Sequence, residues 1–151
     1  MTERKALEGM RVLDMTQFEA GPSCAQTLAF LGADVLKIER SVTGEQARYR
    51  GDPDHKDSYY FILFNANKRS VTLNVAEEQG KELLRGLIKK SDVILENFAP
   101  GTIERLGFGP DEVLKINPAI IYARIKGFAS GSPYEKFLVF DPIAQAAGGA
   151  M

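Results

Sequence analysis

One cysteine, one histidine and a net charge of -1 are all that this 151-residue chain offers to three large classes of function. The lone Cys24 excludes an internal disulfide framework, and the lone His55 makes a protein-built zinc site a poor expectation. With 19 Lys plus Arg against 20 Asp plus Glu, nothing electrostatic points to nucleic acid or an acidic membrane surface. The longest basic runs, Lys68-Arg69 and Lys89-Lys90, are too short to change that. No apolar run approaches a membrane span, and the opening MTERKALEGMRVLDM lacks the apolar stretch of a secretory signal. A soluble, cytoplasmic protein is expected, with a single modest domain large enough to hold a real core.

Several catalytic signatures are missing as well. No G-x-x-x-x-G-K-[ST] phosphate loop occurs, and the first strand-to-helix turn lacks G-x-G-x-x-G. No G-x-S-x-G elbow is present, and His55, among Asp52, Asp54, Lys56 and Asp57, reads as a solvated loop histidine rather than a triad member. Cys24 follows Gly-Pro-Ser at a helix start, where a thiolate would be stabilised. With no basic partner nearby, a small buried apolar role is the better reading. Asp14 and Asp34 are expected at strand edges, and no spacing brings two carboxylates together.

What is present is an alternation of short apolar strands and helices. Arg11–Met15, Asp34–Glu39, Ser70–Leu73, Asp92–Glu96 and Ile120–Ile125 suit buried parallel strands. Ser23 is placed to N-cap a helix over Cys24–Leu31 that stops at Gly32. Glu77–Lys90 reads as an amphipathic helix with Leu83, Leu84, Leu87 and Ile88 on one face, and Pro110 opens a short helix through Lys115. Tyr59–Asn65 is apolar enough for the core, as helix or strand, and Ser41–Asp57 forms a long polar loop of the kind that is functional or mobile. The pattern predicts an α/β fold, a parallel sheet with helices on both faces. The end of the chain, Ile143 to Met151, has no visible capping and reads as a chain cut short.

The most informative stretch is Asp92–Gly107, DVILENFAPGTIERLG. It delivers Asn97 and Phe98 to a strand's carboxyl end and opens a helix carrying Arg105 in its first turn. Ligands gather at such ends, beside helix N-termini that attract anions. An aromatic ring, an amide and a guanidinium there suit a nucleotide; a plain strand-turn-helix with an exposed arginine is the alternative.

Taken in order, LEGMRVLDMT, GPSCAQTLAFLGADVLKIER, YYFILFNANKRSVTLN, EEQGKELLRGLIKKSDV, ENFAPGTIERLGFG, NPAIIYARIKGF and DPIAQAAGG resemble the class III CoA-transferases. That family includes formyl-CoA:oxalate CoA-transferase, carnitine CoA-transferase and the α-methylacyl-CoA racemases. The resemblance covers almost the whole chain. It implies a Rossmann-like large domain, of which residues 1–151 are an incomplete part lacking the second small domain and the C-terminal return. It also implies an interlocked homodimer, and coenzyme A or acyl-CoA as substrate, with a small carboxylic acid as partner and no permanently bound cofactor. An aspartate nucleophile would lie beyond Met151, so no catalytic residue is expected within the chain.

Carried over by resemblance, Arg40 and Arg105 face the CoA phosphates, and Leu73, Asn74, Val75 and Ala76 lie beside the adenine. Asn97, Phe98 and Ala99 are the strand-end contacts. Phe137, Leu138, Val139 and Phe140 line the CoA channel, and Glu19 and Ala20 face the reacting thioester. The chain departs from members of the family at four points. Glu19 replaces a glutamine of the formyl-CoA transferases, and Ala76 and Leu138 each replace a lysine. Phe140 stands where the racemase branch has its histidine base, which favours a transferase. A racemase, or a non-catalytic CoA-binding module, are the alternatives.

Overall fold

The computed structural model describes residues 4–49 and 58–151; His55 and the end of the Ser41–Asp57 loop lie outside them. Five strands, β1 (Arg11–Asp14), β2 (Asp34–Glu39), β3 (Arg69–Thr72), β4 (Val93–Glu96) and β5 (Ile121–Arg124), form one sheet in the order β3-β2-β1-β4-β5. Every pairing is parallel, with Val12 level with Val35 on one side and Val93 on the other. The chain winds outward from β1 through β2 to β3, then returns to start again at β4. This reversal leaves a crevice between β1 and β4 at their carboxyl ends, where ligands bind in sheets of this kind.

The helices are α1 (Ala20–Phe30), α2 (Tyr59–Asn65), α3 (Glu78–Ile88), α4 (Thr102–Arg105), α5 (Pro110–Ile116) and α6 (Asp141–Gly148). Strand side chains alternate between two cores, as a sheet covered on both faces requires. Val12, Val35, Val93 and Leu95 meet Ala25 and Ala29 of α1, whose small side chains let the helix lie close. Leu13, Met15, Ile38 and Ile94 meet Leu84 and Ile88 of α3, Ile103 of α4 and Val113 of α5. The expected α/β parallel sheet with helices on both faces is therefore the observed one.

Four local expectations are corrected. Helix α1 begins at Ala20, and Ser23 is in its first turn, with its N–H bonded to the Glu19 carbonyl at 2.8 Å. Pro22 is tolerated there because first-turn N–H groups have no helical partner. Gly21 is required: a Cβ would come within 2.2 Å of Thr16 Cβ. Tyr59–Asn65 is a helix capped by the Ser58 hydroxyl, and only Phe61 of it is buried. In α3 the buried positions are Gly80, Leu84 and Ile88, one every four residues, which leaves Leu83 on the solvent side. The chain end is capped after all. Helix α6 has Pro142 in its first turn and closes on Gly149 in the left-handed conformation (φ 76°).

Candidate functional site

Above the carboxyl ends of β1, β2 and β3 lies a cleft of about 780 Å³. Its apolar lining comes from Met15, Ile38, Leu73, Val75, Phe98 and Leu106, and its wall opposite β1 is the loop Ser41–Gln46 with Tyr49. Arg40, exposed at the end of β2, lines it too, with Asn74, Ala76 and Thr102. The sheet explains the placement of Leu73. Its N–H continues the ladder to the Glu39 carbonyl at 2.9 Å, and the chain then turns through Asn74, whose Oδ1 accepts from the Ala76 N–H.

Six residues singled out in the sequence thus meet in one cavity: Arg40, Leu73, Asn74, Val75, Ala76 and Phe98. The others lie outside its lining. Arg105 is exposed and donates to the Thr102 hydroxyl at 2.9 Å, a cation one side chain removed from the lining. Helix α4 is a single turn of four residues, too few aligned peptides to act as an anion site by itself. Asn97 engages the backbone of Gln17 twice, accepting from its N–H at 2.8 Å and donating to its carbonyl at 2.7 Å. Ala99 is outside the lining. Glu19 and Ala20 are exposed where α1 begins, and Glu19 accepts from the Tyr60 hydroxyl at 3.3 Å. In the last stretch, Phe137, Leu138 and Phe140 are all more than half exposed. The Phe140 ring meets Phe18 edge to face at 5.5 Å, and Val139 packs on Gly127 so closely that a Cβ there would clash.

Directly behind the cleft lies a buried ionic network. Lys37 is 1% exposed; its ammonium meets Glu45 at 2.5 Å and Asp14 at 3.7 Å, and donates to the Thr16 carbonyl. Asp14, also bonded by Thr16, receives Lys68 at 2.8 Å, so the aspartate expected at a strand edge is fully buried instead. Asp34 does sit at an edge, forked by the Arg69 guanidinium. Burial pulls the Lys68 amine below its usual range, against the opposing field of Asp14. The Glu39 carboxyl is also buried, which by itself would raise its pKa. The fork from Arg48, the Ser70 hydroxyl and the Glu45 N–H outweigh that and bring it to about 2. Arg48 in turn lies 3.8 Å above the Phe61 ring, which is why that residue of α2 is the buried one.

A second network fixes the other side. Glu96, fully buried at the end of β4, accepts from the Phe98 N–H at 2.9 Å and from Lys126 at 2.8 Å, and Lys126 also donates to the Phe98 carbonyl. Arg124 bridges Glu96 and Glu104. The backbone of Phe98 is therefore held at both its polar groups, and its ring is presented to the cleft.

The arrangement binds and orients. Among the described residues no cluster of His, Cys, Asp and Glu could hold a metal. Cys24 is exposed on α1 rather than buried. The one signal for the missed wall, Ser41–Gln46 and Tyr49, was the length and polarity of the loop after β2. Glu39 and Lys37 gave none, because a charged residue in an apolar strand looks like an edge until its partner folds over it, and Glu45 is one polar residue among many in its loop.

The sequence profile of CoA-transferase family III matches residues 7–151, nearly the whole chain. The chain belongs to CoA-transferase family III. It is 54% identical over 149 residues to the formyl-CoA:oxalate CoA-transferase of Streptomyces avermitilis, and 53% over 150 residues to that of Streptomyces coelicolor. Each alignment takes in 97% of this chain and 36% of the relative, so the chain spans about a third of those proteins' length. A CAIB/BAIF family protein from Brucella suis has the same fold, with a TM-score of 0.91 at 36% identity over 97% of this chain and 40% of that one. A hypothetical protein from Mycobacterium tuberculosis matches at 0.89 and 41% identity, over 97% of this chain and 41% of its own. In this family III chain, then, the parallel sheet whose strand ends form the cleft belongs to a shared fold. No described helix is long and apolar enough to cross a membrane.

Proposed function

We propose that the cleft is the coenzyme A site of an enzyme that moves CoA between an acyl-CoA thioester and a small carboxylic acid. The observation that carries this reading is the meeting of Arg40, Leu73–Ala76 and Phe98 in one cavity at the strand ends. An apolar lining with an aromatic ring suits an adenine and a pantetheine arm, and an exposed arginine at the rim suits phosphate. Arg105, beside Thr102, supplies a second cation for the pyrophosphate. Phe137–Phe140 flank the arm nearer the thioester, with Glu19 and Ala20 opposite.

In this reading the chain is part of a Rossmann-like large domain, and the rest of that domain and a second small domain complete an interlocked homodimer in the cytoplasm. The acyl group passes from the thioester to an aspartate carboxylate supplied outside these residues, with cleavage of the carbon–sulfur bond and release of CoA as thiolate. The thiolate attacks the aspartyl carbonyl of the resulting anhydride and expels the donor acid as a carboxylate. The acceptor carboxylate then displaces CoA from the aspartyl thioester. The thiolate attacks the acceptor carbonyl of the new anhydride, giving the acceptor's CoA thioester and the free aspartate. No resident cofactor is needed. The relatives are named for formyl-CoA and oxalate; for this chain we assign only the broader class. Glu19 puts a carboxylate where the formyl-CoA transferases carry glutamine, and that charge repels a dianionic acid. A racemase is disfavoured because the Phe140 ring, packed on Phe18, has no proton to exchange.

Calorimetric titration with CoA tests the reading. Saturable binding is expected, weakened in Arg40→Ala by about 1.5–3 kcal/mol, the range for a hydrogen bond to a charged group. Equal affinity in the two would remove Arg40 from the site, and no heat at all would remove CoA.

A further inference from the structure

Two backbone segments line the cleft: Thr16–Gln17, leaving β1 and leading into Phe18, and Ser41–Gln46 with Tyr49, leaving β2. One carboxylate touches both. Glu45 belongs to the second segment, and its side chain is 2% exposed. One of its oxygens accepts from the Phe18 N–H at 2.6 Å, and the other meets the Lys37 ammonium at 2.5 Å. Lys37 comes up from β2 beneath the cleft and also donates to the Thr16 carbonyl at 2.9 Å. Phe18 has a left-handed backbone (φ 65°), which a bulky residue adopts only when its surroundings impose it. Asn97 fixes the preceding residue, Gln17, but nothing in that amide pair reaches across to the loop.

We propose that Glu45, through its ion pair with Lys37, is a positioning residue that sets the spacing of the two cleft walls. Glu45 ties the loop to the β1 exit, and Lys37 sets the height of the carboxylate by binding Thr16 on the same exit. Taking Lys37 and Glu45 out of water is costly for a fold that needs only a filled core, since well-packed apolar residues serve as well. The position of this pair gives the charges a use: they stand between the sheet and the site. Arg48, Glu39 and Ser70 stiffen the far end of the same loop, with Glu39 bonded to the Glu45 N–H. The consequence for ligand rests on the reading of the cleft as a CoA site; the tie itself does not.

The test uses the whole chain in three forms: wild type, Glu45→Leu/Lys37→Met and Glu45→Asp. The double variant removes both charges together, so no buried ion is left alone and the fold should survive. Glu45→Asp keeps the charge beside Lys37 but withdraws it from the Phe18 N–H. Hydrogen exchange of the ligand-free protein should quicken at least tenfold at Phe18 and across 41–49 in both variants. Exchange of the β1 and β4 amides should be unchanged, with the melting temperature held within a few degrees. CoA affinity should fall at least tenfold in both. Unchanged exchange at Phe18 overturns the tie, and quickened exchange with full CoA affinity overturns its role in setting the walls. If the wild type takes up no CoA, it is the CoA reading that fails, and the exchange result alone decides the tie.

Discussion

The two ionic networks behind the cleft differ in how far water reaches them. Around Lys37 every charged partner is sealed: Asp14, Glu45 and Lys68 are each at most 2% exposed at the side chain. Around Glu96 only the carboxylate is sealed, while Lys126 and Arg124 are 17% and 33% exposed. A sealed network has no solvent to fall back on when one member is lost, whereas an open one can rehydrate its orphan. The same contrast divides functions. The sealed network lies under the loop wall, and the open one serves a single residue, Phe98.

The sharpest way to break this comparison is Lys37→Met alone, which leaves Glu45 buried without its cation. It should cost about 3–5 kcal/mol in chemical denaturation, the range for breaking one side of a buried pair. Lys126→Met should cost less, about 1–3 kcal/mol, because Glu96 keeps Arg124 and the Phe98 N–H. Equal losses would mean that exposure is not the deciding factor. Acid sharpens the contrast from a different side. The folded pKa of Glu39 is about 2, below its ordinary 4.5, so its contribution to stability is complete above about 4.5. That contribution is lost as the pH falls from there toward 2, and Arg48→Met should flatten this part of the stability–pH curve. Smallest of all is the surface fork of Arg69 on Asp34. Arg69→Ala should cost no more than about 1 kcal/mol and less in high salt.

Sequence legibility followed the same division between local and distant causes. All five strands were placed within a residue or so: β1, β2 and β4 are largely buried and read as apolar runs, while the more exposed edge strands β3 and β5 were found from their place in the strand–helix alternation. The α1 start was misplaced by four residues: Gly21-Pro22 reads as a break, yet Pro22 fits a first turn and Gly21 is there for the contact with Thr16. Of the residues brought forward for the site, Arg40, Leu73–Ala76 and Phe98 meet in the cleft, where strand order takes them, while Asn97 and Ala99, also past the end of β4, stay outside its lining. Asn97 was legible as polar at a strand end, but its partner Gln17 is 80 residues away in the chain. Lys37 and Glu45 were invisible for the same reason. A buried charge is explained only by the opposite charge that folding brings to it, and the loop carrying Glu45 has no periodicity to announce where it will lie.

If the strand-end cleft takes coenzyme A, amide chemical shifts of the whole chain will report it during a CoA titration. The shifts should gather at Arg40–Gln46, Leu73–Ala76 and Phe98 and saturate together with one dissociation constant. Shifts confined to the exposed faces of α2 or α6, or no saturable shifts at all, would contradict it.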